Sequence, residues 1–128
     1  MRTRKTMAWL ACLSLFLLVC SAPLSANETS VKIDTVDQAK KGEEVTIKLL
    51  VSHEGNNFVH YTYEAYLAIN GEKVKEWKFY ILDRPPSQNF SKEITYTVEE
   101  DLEIEAKGYC TLHGSNNTAR ATIQVEPD

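Results

Sequence analysis

Apolar and polar side chains alternate with a period of two along most of the chain beyond residue 29, a pattern typical of β-strands. The alternation is most regular over residues 44–52, where every odd-numbered position is a branched apolar residue. Turn residues separate the alternating segments, and Asn70-Gly71 predicts a tight hairpin. Seven strands are predicted: residues 30–36, 44–52, 58–69, 72–81, 92–98, 102–110 and 118–125.

Seven short strands joined by short connections predict an all-β fold. We expect an immunoglobulin-like seven-stranded antiparallel β-sandwich, because this architecture buries one face of each strand between two sheets. Pro85 and Pro86 fall in a connecting loop, since proline cannot serve in a central strand. The Cys-Trp-Cys pattern of true immunoglobulin domains is absent, so the prediction concerns the architecture alone. We interpret Trp77 and the tyrosines as packing residues.

Residues 1–26 have the pattern of a signal peptide: a basic start, the apolar run 7–20, and small residues that predict cleavage after Ala26. Lipidation at Cys20 and an uncleaved N-terminal anchor are the alternatives. We therefore expect one mature domain, residues 27–128, that is periplasmic or secreted and has no membrane segment after cleavage.

The mature chain is acidic. The full sequence has 14 basic and 18 acidic residues, and three of the basic residues lie in the leader whereas no acidic residue does. The formal charge of residues 27–128 is therefore 11 minus 18, or −7, with histidine neutral. This charge argues against nucleic acid or an anionic membrane surface as a partner.

Cys110 is the only cysteine outside the leader, so the mature chain cannot form an intramolecular disulfide. In an oxidising compartment a single thiol is buried and inert, paired between chains, a metal ligand or a reactive group. Cysteine spacing alone leaves these four alternatives open.

The three histidines lie at predicted strand ends or in loops, as does Cys110. His53 closes the second strand and His60 opens the third, while Cys110 closes the sixth and His113 follows it. The loops after the second and sixth strands lie at the same end of an immunoglobulin-like sandwich, so all four side chains are expected at one pole. Imidazole nitrogen and thiolate sulfur are ligands for iron, zinc and copper, which makes a metal site the leading hypothesis.

Two alternatives to a metal site remain open: a purely structural or surface role, and a Cys–His nucleophilic pair, for which the sequence shows no orienting partner. One detail conflicts with the expected cluster. If the alternation is strict and Val59, Tyr61 and Tyr63 face inward, then His60 lies on the opposite, outward face of the strand.

Three stretches carry a resemblance to a known family: "AKKGEEVTIKL" at 39–49, "HEGNNFVHYTYEAYLAINGEKV" at 53–74, and "YCTLHG" at 109–114. Over residues 30–125 the chain resembles the iron domain of superoxide reductases of the desulfoferrodoxin and neelaredoxin type. The resemblance implies mononuclear iron, superoxide as substrate, hydrogen peroxide as product and an external electron-donor protein. It also implies imidazole ligands at His53, His60 and His113, with Cys110 as the axial thiolate.

The chain departs from that family at its N-terminal end. The family's first ligand histidine, in a Glu-Lys-His-x-Pro run, corresponds to about Thr29, and the lysine and proline are missing too. The resemblance therefore implies a three-histidine, one-cysteine site, with an open position for water, Glu28 or Glu54. Such a site also suits zinc or copper. Loss of the lysine and an acidic net charge disfavour attraction of superoxide, so a non-enzymatic metal-binding or redox-carrier module is the alternative function.

Overall fold

The computed structural model describes residues 28–128, which form an all-β structure. The predicted leader and the cleavage position after Ala26 lie outside these residues. Within them, no helix has the length and apolar character needed to cross a membrane. The strands are β1 (Ser30–Asp34), β2 (Gln38–Ala39), β3 (Glu43–Ser52), β4 (Thr62–Ile69), β5 (Glu72–Lys78), β6 (Asn89–Val98), β7 (Leu102–Cys110) and β8 (Thr118–Val125).

The strands form two sheets, as the prediction of an immunoglobulin-like β-sandwich requires. One sheet has the order β1-β3-β6 and the other β2-β8-β7-β4-β5. All pairs are antiparallel except β2 with β8, which pair in parallel through two residues each. The described residues thus contain eight strands rather than seven, because two loop residues extend the edge of the larger sheet. The predicted fold class is confirmed, with this short parallel strand as an addition.

The apolar core lies between the two sheets and follows from the alternation seen in the sequence. In β3 the inward positions are buried and their neighbours are mostly exposed. In β7 the inward positions are again every second residue, from Leu102 to Cys110. The buried apolar residues of β3, β4 and β7 are Val45, Ile47, Leu49, Val51, Ala65, Leu67, Ile69, Leu102, Ile104 and Ala106. Trp77 is partly buried against this core, in keeping with its interpretation as a packing residue.

The start of β4 differs from the prediction, and the difference decides how His60 faces. β4 begins at Thr62 rather than at residue 58, and a β-bulge shifts the register between Thr62 and Glu64. The interpretation of Val59 and Tyr63 as inward-facing is wrong, since they are 69% and 38% exposed. A bulge inserts one extra residue, so the numbering of inward positions changes across it. Before the bulge the even-numbered Thr62 is buried, in register with His60, and after it the odd-numbered Ala65 is buried.

The hairpin predicted at Asn70-Gly71 joins β4 to β5. Both residues have positive φ, 50° and 82°, as the central residues of a type I′ turn require. β5 then forms the exposed edge of the larger sheet, and its last described strand residue is Lys78 rather than residue 81.

Edge strand β5 carries an ion-pair group that makes a testable contribution to stability. Glu76 accepts hydrogen bonds from Lys73 at 2.8 Å and contacts Lys78 at 3.1 Å. Hydrogen bonds from Lys73 and Lys78 lower the pKa of Glu76, and the carboxylate raises the pKa of both lysines. The group therefore stabilises the fold above the ordinary glutamate pKa and below the ordinary lysine pKa, and loses this effect outside that window.

Glu76→Gln is expected to lower the melting temperature by about 1–3 °C near pH 7, since exposed ion pairs contribute little. The difference should be smaller near pH 3 than near pH 7, because the stabilisation is lost as the pH falls below the ordinary glutamate pKa and through the lowered pKa of Glu76. Thermal melts at the two pH values measure this, with Glu72→Gln on the same strand as the control. An equal loss at both pH values would show that the effect is not electrostatic.

Candidate metal centre

Strand ends position the four predicted side chains at one pole of the sandwich. His53 directly follows β3, and its backbone N–H donates to the Gln88 carbonyl at 3.0 Å. His60 lies in the loop two residues before β4. Cys110 is the last residue of β7, and His113 lies in the loop between β7 and β8. His53 and Cys110 are buried at 3% exposure each, His60 is half-buried and His113 is exposed, so the cluster opens to solvent on the His113 side.

The ligand atoms of these side chains are close together. His60 Nε2 lies 3.1 Å from His53 Nε2 and 3.2 Å from His113 Nδ1. Cys110 Sγ lies 3.9 Å from His113 Nδ1. His53, His60 and Cys110 each offer one ligand atom, and these three atoms lie within 4.8 Å of one another. His113 contacts this group through His60 and Cys110. His53, His60 and Cys110 thus form a candidate metal site, whereas the ligand role of each residue stays a prediction.

The spacing of the nitrogens fits a single metal ion. Two nitrogens bound at about 2.1 Å to one ion lie about 3.0 Å apart at a right angle and about 3.4 Å apart at a tetrahedral angle. The 3.1 Å and 3.2 Å separations from His60 fall between these values. The sulfur separation of 3.9 Å is a few tenths of an ångström longer than a bound thiolate requires. The donor set of imidazoles and a thiolate suits iron, zinc or copper.

A tight turn holds Cys110 and His113 on the same side of the β7–β8 loop. Cys110 N–H donates to the Gly114 carbonyl at 2.8 Å, and Gly114 N–H donates back to the Cys110 carbonyl at 3.3 Å. Gly114 has a φ of 76°, a conformation that glycine adopts without strain. Leu112 N–H lies 3.4 Å from Cys110 Sγ and donates to it. The turn therefore presents the sulfur to the cluster and satisfies one of its acceptor positions.

Two residues of the β3–β4 loop, Gly55 and Asn57, hold His60 in place. The Asn57 side-chain oxygen accepts from the N–H groups of Val59 and His60 at 3.0 and 2.9 Å. A Cβ at Gly55 would lie 2.6 Å from His60 Nδ1, so the His60 ring packs where only glycine leaves room. The glycine and asparagines of this loop are turn signals in the sequence, but nothing local shows that they support a histidine.

Thr29 lies beside the β7–β8 loop. It is fully buried and forms a parallel bridge with Ser115. Its hydroxyl lies 3.0 Å from that of Thr62, whose backbone pairs with Cys110. Neither Glu28 nor Glu54 joins the group of mutually close ligand atoms among the described residues, and both are exposed. The position that the family resemblance assigns to a fourth histidine therefore adjoins the cluster but holds a threonine already hydrogen-bonded to another threonine.

A separate groove of about 770 Å³ lies on the outer face of the larger sheet and contains none of the four clustered side chains. Four of its five charged side chains form ion pairs: Lys73 with Glu64 at 3.8 Å and Arg120 with Glu105 at 3.1 Å. This face therefore has the character of a solvated, ion-paired sheet surface, and the candidate chemistry belongs to the pole.

Comparison with known proteins supports the fold. No family model and no curated protein matches the chain. Among solved structures, the chain is similar to a superoxide reductase (neelaredoxin) from Ignicoccus hospitalis, with 22% identity over 83% of this chain and 89% of that one, and a TM-score of 0.64. A variant of that protein superimposes with a TM-score of 0.66 at 20% identity, covering 82% of this chain and 86% of the other.

The chain is also similar to the CARDB domain of the PF1109 protein from Pyrococcus furiosus, whose crystal structure is a complex with di-metal ions. The identity is 17%, the coverage is 80% of this chain and 90% of that chain, and the TM-score is 0.63. At such identities the similarities establish a shared β-sandwich fold, and function has to be argued from the site. The resemblance to superoxide reductases thus holds at the level of the fold.

Proposed function

We propose that the protein is a secreted or periplasmic, superoxide-reductase-like metalloprotein that binds one iron ion through His53, His60, His113 and Cys110. The convergence of three imidazole nitrogens and one sulfur at a single pole carries this proposal. The shared fold with a superoxide reductase supports it, because that similarity extends over most of both chains.

The cluster of four side chains is buried on the Cys110 side and open to solvent on the His113 side. Iron bound here would supply one electron to superoxide, which takes two protons from solvent to give hydrogen peroxide, and an external donor protein would return the electron. Cys110 is buried and its sulfur accepts the Leu112 N–H, so the thiolate side of the centre is shielded from water. His113 is exposed, so superoxide and the electron donor would approach from its side.

A second candidate function, a non-enzymatic metal-binding or redox-carrier module, is favoured by Thr29. Threonine has no imidazole, and the buried Thr29 hydroxyl is hydrogen-bonded to Thr62, so this position adds no ligand nitrogen to the cluster. Three nitrogens and one sulfur would be enough ligands for a four-coordinate zinc or copper ion, with none left to bind superoxide. The formal charge of −7 on residues 27–128 also opposes the approach of superoxide.

Metal analysis and superoxide assays of the native mature protein separate the two candidates. The proposed reductase should contain about one iron per chain, show a thiolate-to-ferric absorption band after anaerobic reconstitution, and consume superoxide with formation of peroxide. Bound metal without superoxide consumption would select the metal-binding module. A protein that binds neither iron, zinc nor copper would contradict both candidates.

A further inference from the structure

Thr111, the residue after Cys110, contacts the loop that carries His60. Its N–H donates to the Tyr61 carbonyl at 3.0 Å, and its hydroxyl donates to the Val59 carbonyl at 2.9 Å. The same hydroxyl oxygen accepts from the Tyr61 N–H at 3.3 Å. Three hydrogen bonds from one residue therefore reach the backbone on both sides of His60.

These contacts extend the pairing of β4 and β7 beyond its last backbone pair. That pair joins Thr62 to Cys110, and the chain before Thr62 bends away from regular strand geometry. A threonine hydroxyl can donate and accept at the same time, so the Thr111 side chain substitutes for the backbone groups that a regular ladder would use.

We propose that Thr111 is a positioning residue that holds His60 at ligand distance from the other members of the centre. The inference rests on the proposed metal binding at this site. His60 Nε2 is the atom shared by the contacts at 3.1 Å to His53 and 3.2 Å to His113, so a displacement of its loop lengthens both. Asn57 stabilises the same loop only from within, whereas Thr111 connects it to the turn that carries Cys110 and His113.

A positioning role differs from a general contribution to stability. The hydrogen bonds of the Thr111 hydroxyl lie at the exposed end of the sheet, where water can replace them in a variant that lacks the hydroxyl. Loss of the Thr111 hydroxyl should therefore leave the fold intact but displace His60 from its position in the candidate centre. Residues that orient metal ligands typically change metal affinity by 10–100-fold when removed.

Zinc titration against a competing chelator tests the proposal with Zn²⁺ alone as the probe. Thr111→Val, which keeps the shape and loses the hydroxyl, should bind zinc about tenfold more weakly than the unchanged protein. Thr111→Ser, which keeps the hydroxyl, should bind within about twofold of it. Thr122→Val removes an exposed threonine hydroxyl from β8 and is the matched control, with no expected change in affinity.

A second measurement uses the metal-free protein. The Tyr61 amide, which donates to the Thr111 hydroxyl, should exchange with deuterium about fivefold faster in Thr111→Val and at an unchanged rate in Thr111→Ser.

Equal zinc affinity of Thr111→Val and the unchanged protein would overturn the positioning role and leave the proposed metal site standing. Equal losses in the valine and serine variants would also overturn it, because the hydroxyl would then not matter. Absence of zinc, iron and copper binding in the unchanged protein would instead remove the proposed function on which the inference rests.

Discussion

Replacing Cys110 with serine should lower the affinity for zinc or iron by about 100-fold or more and abolish the thiolate-to-ferric absorption band. Cys110 supplies the only sulfur in the candidate centre, and a serine hydroxyl remains protonated and binds these ions weakly. Chelator competition and absorption spectroscopy of the reconstituted protein measure the two effects. The loss should exceed that from Thr111→Val, because a ligand contributes more than a residue that orients one.

The metal-free Cys110→Ser protein should remain folded. The side chain is buried, so a hydroxyl in place of the sulfur costs about 1–3 kcal/mol of folding stability at most. Cys110→Ala is the companion variant, since it removes the donor atom without adding a hydroxyl. Unchanged metal affinity and an unchanged spectrum in both variants would show that Cys110 is a buried, inert thiol, which is one of the alternatives that the sequence allows.

A large loss of stability is expected from a substitution at Gly108, which lies on the inward face of β7 two residues before Cys110. A Cβ at this position would lie 2.8 Å from Thr29 Cγ2 and 3.1 Å from Val31 Cγ1. Gly108→Ala therefore overpacks the contact between β7 and the N-terminal segment and should cost about 1–3 kcal/mol. For a domain of this size that lowers the melting temperature by roughly 4–20 °C, as measured by thermal unfolding of the metal-free protein.

The Gly108→Ala effect has a specific remedy. Thr29→Ser removes the methyl group that the new Cβ meets and keeps the hydroxyl that contacts Thr62. In a double-mutant cycle, Thr29→Ser should therefore reduce the free energy of unfolding by about 0.5–2 kcal/mol less in the Gly108→Ala protein than in the unchanged protein. Strictly additive effects would mean that Thr29 does not pack on Gly108.

Local alternation was sufficient to predict most of the strands. The predicted strands 102–110 and 118–125 have the same bounds as β7 and β8. Each has one face turned to the core, and burying every second side chain leaves a period-two pattern in the sequence. The hairpin at Asn70-Gly71 was predictable for a similar reason, since its positive φ values depend on the two residues themselves.

The candidate site was predictable as a set of residues but not as a geometry. Histidine and cysteine at strand ends, together with the connectivity of a sandwich, were enough to expect His53, His60, Cys110 and His113 at one pole. The orientation of His60 was not predictable, because the bulge before Glu64 reverses the phase on which the alternation depends.

Most of the strands, the sandwich architecture and the identity of the candidate ligands follow from the sequence. Burial of one strand face leaves a pattern among neighbouring residues, and the chemistry of a side chain belongs to the residue itself. Two contacts emerge only in the folded chain: Thr29 packs against Gly108, and Thr111 forms hydrogen bonds to the loop around His60, about fifty residues earlier in the sequence. Such contacts join segments that are far apart in the chain, and a single sequence carries no local pattern that pairs them.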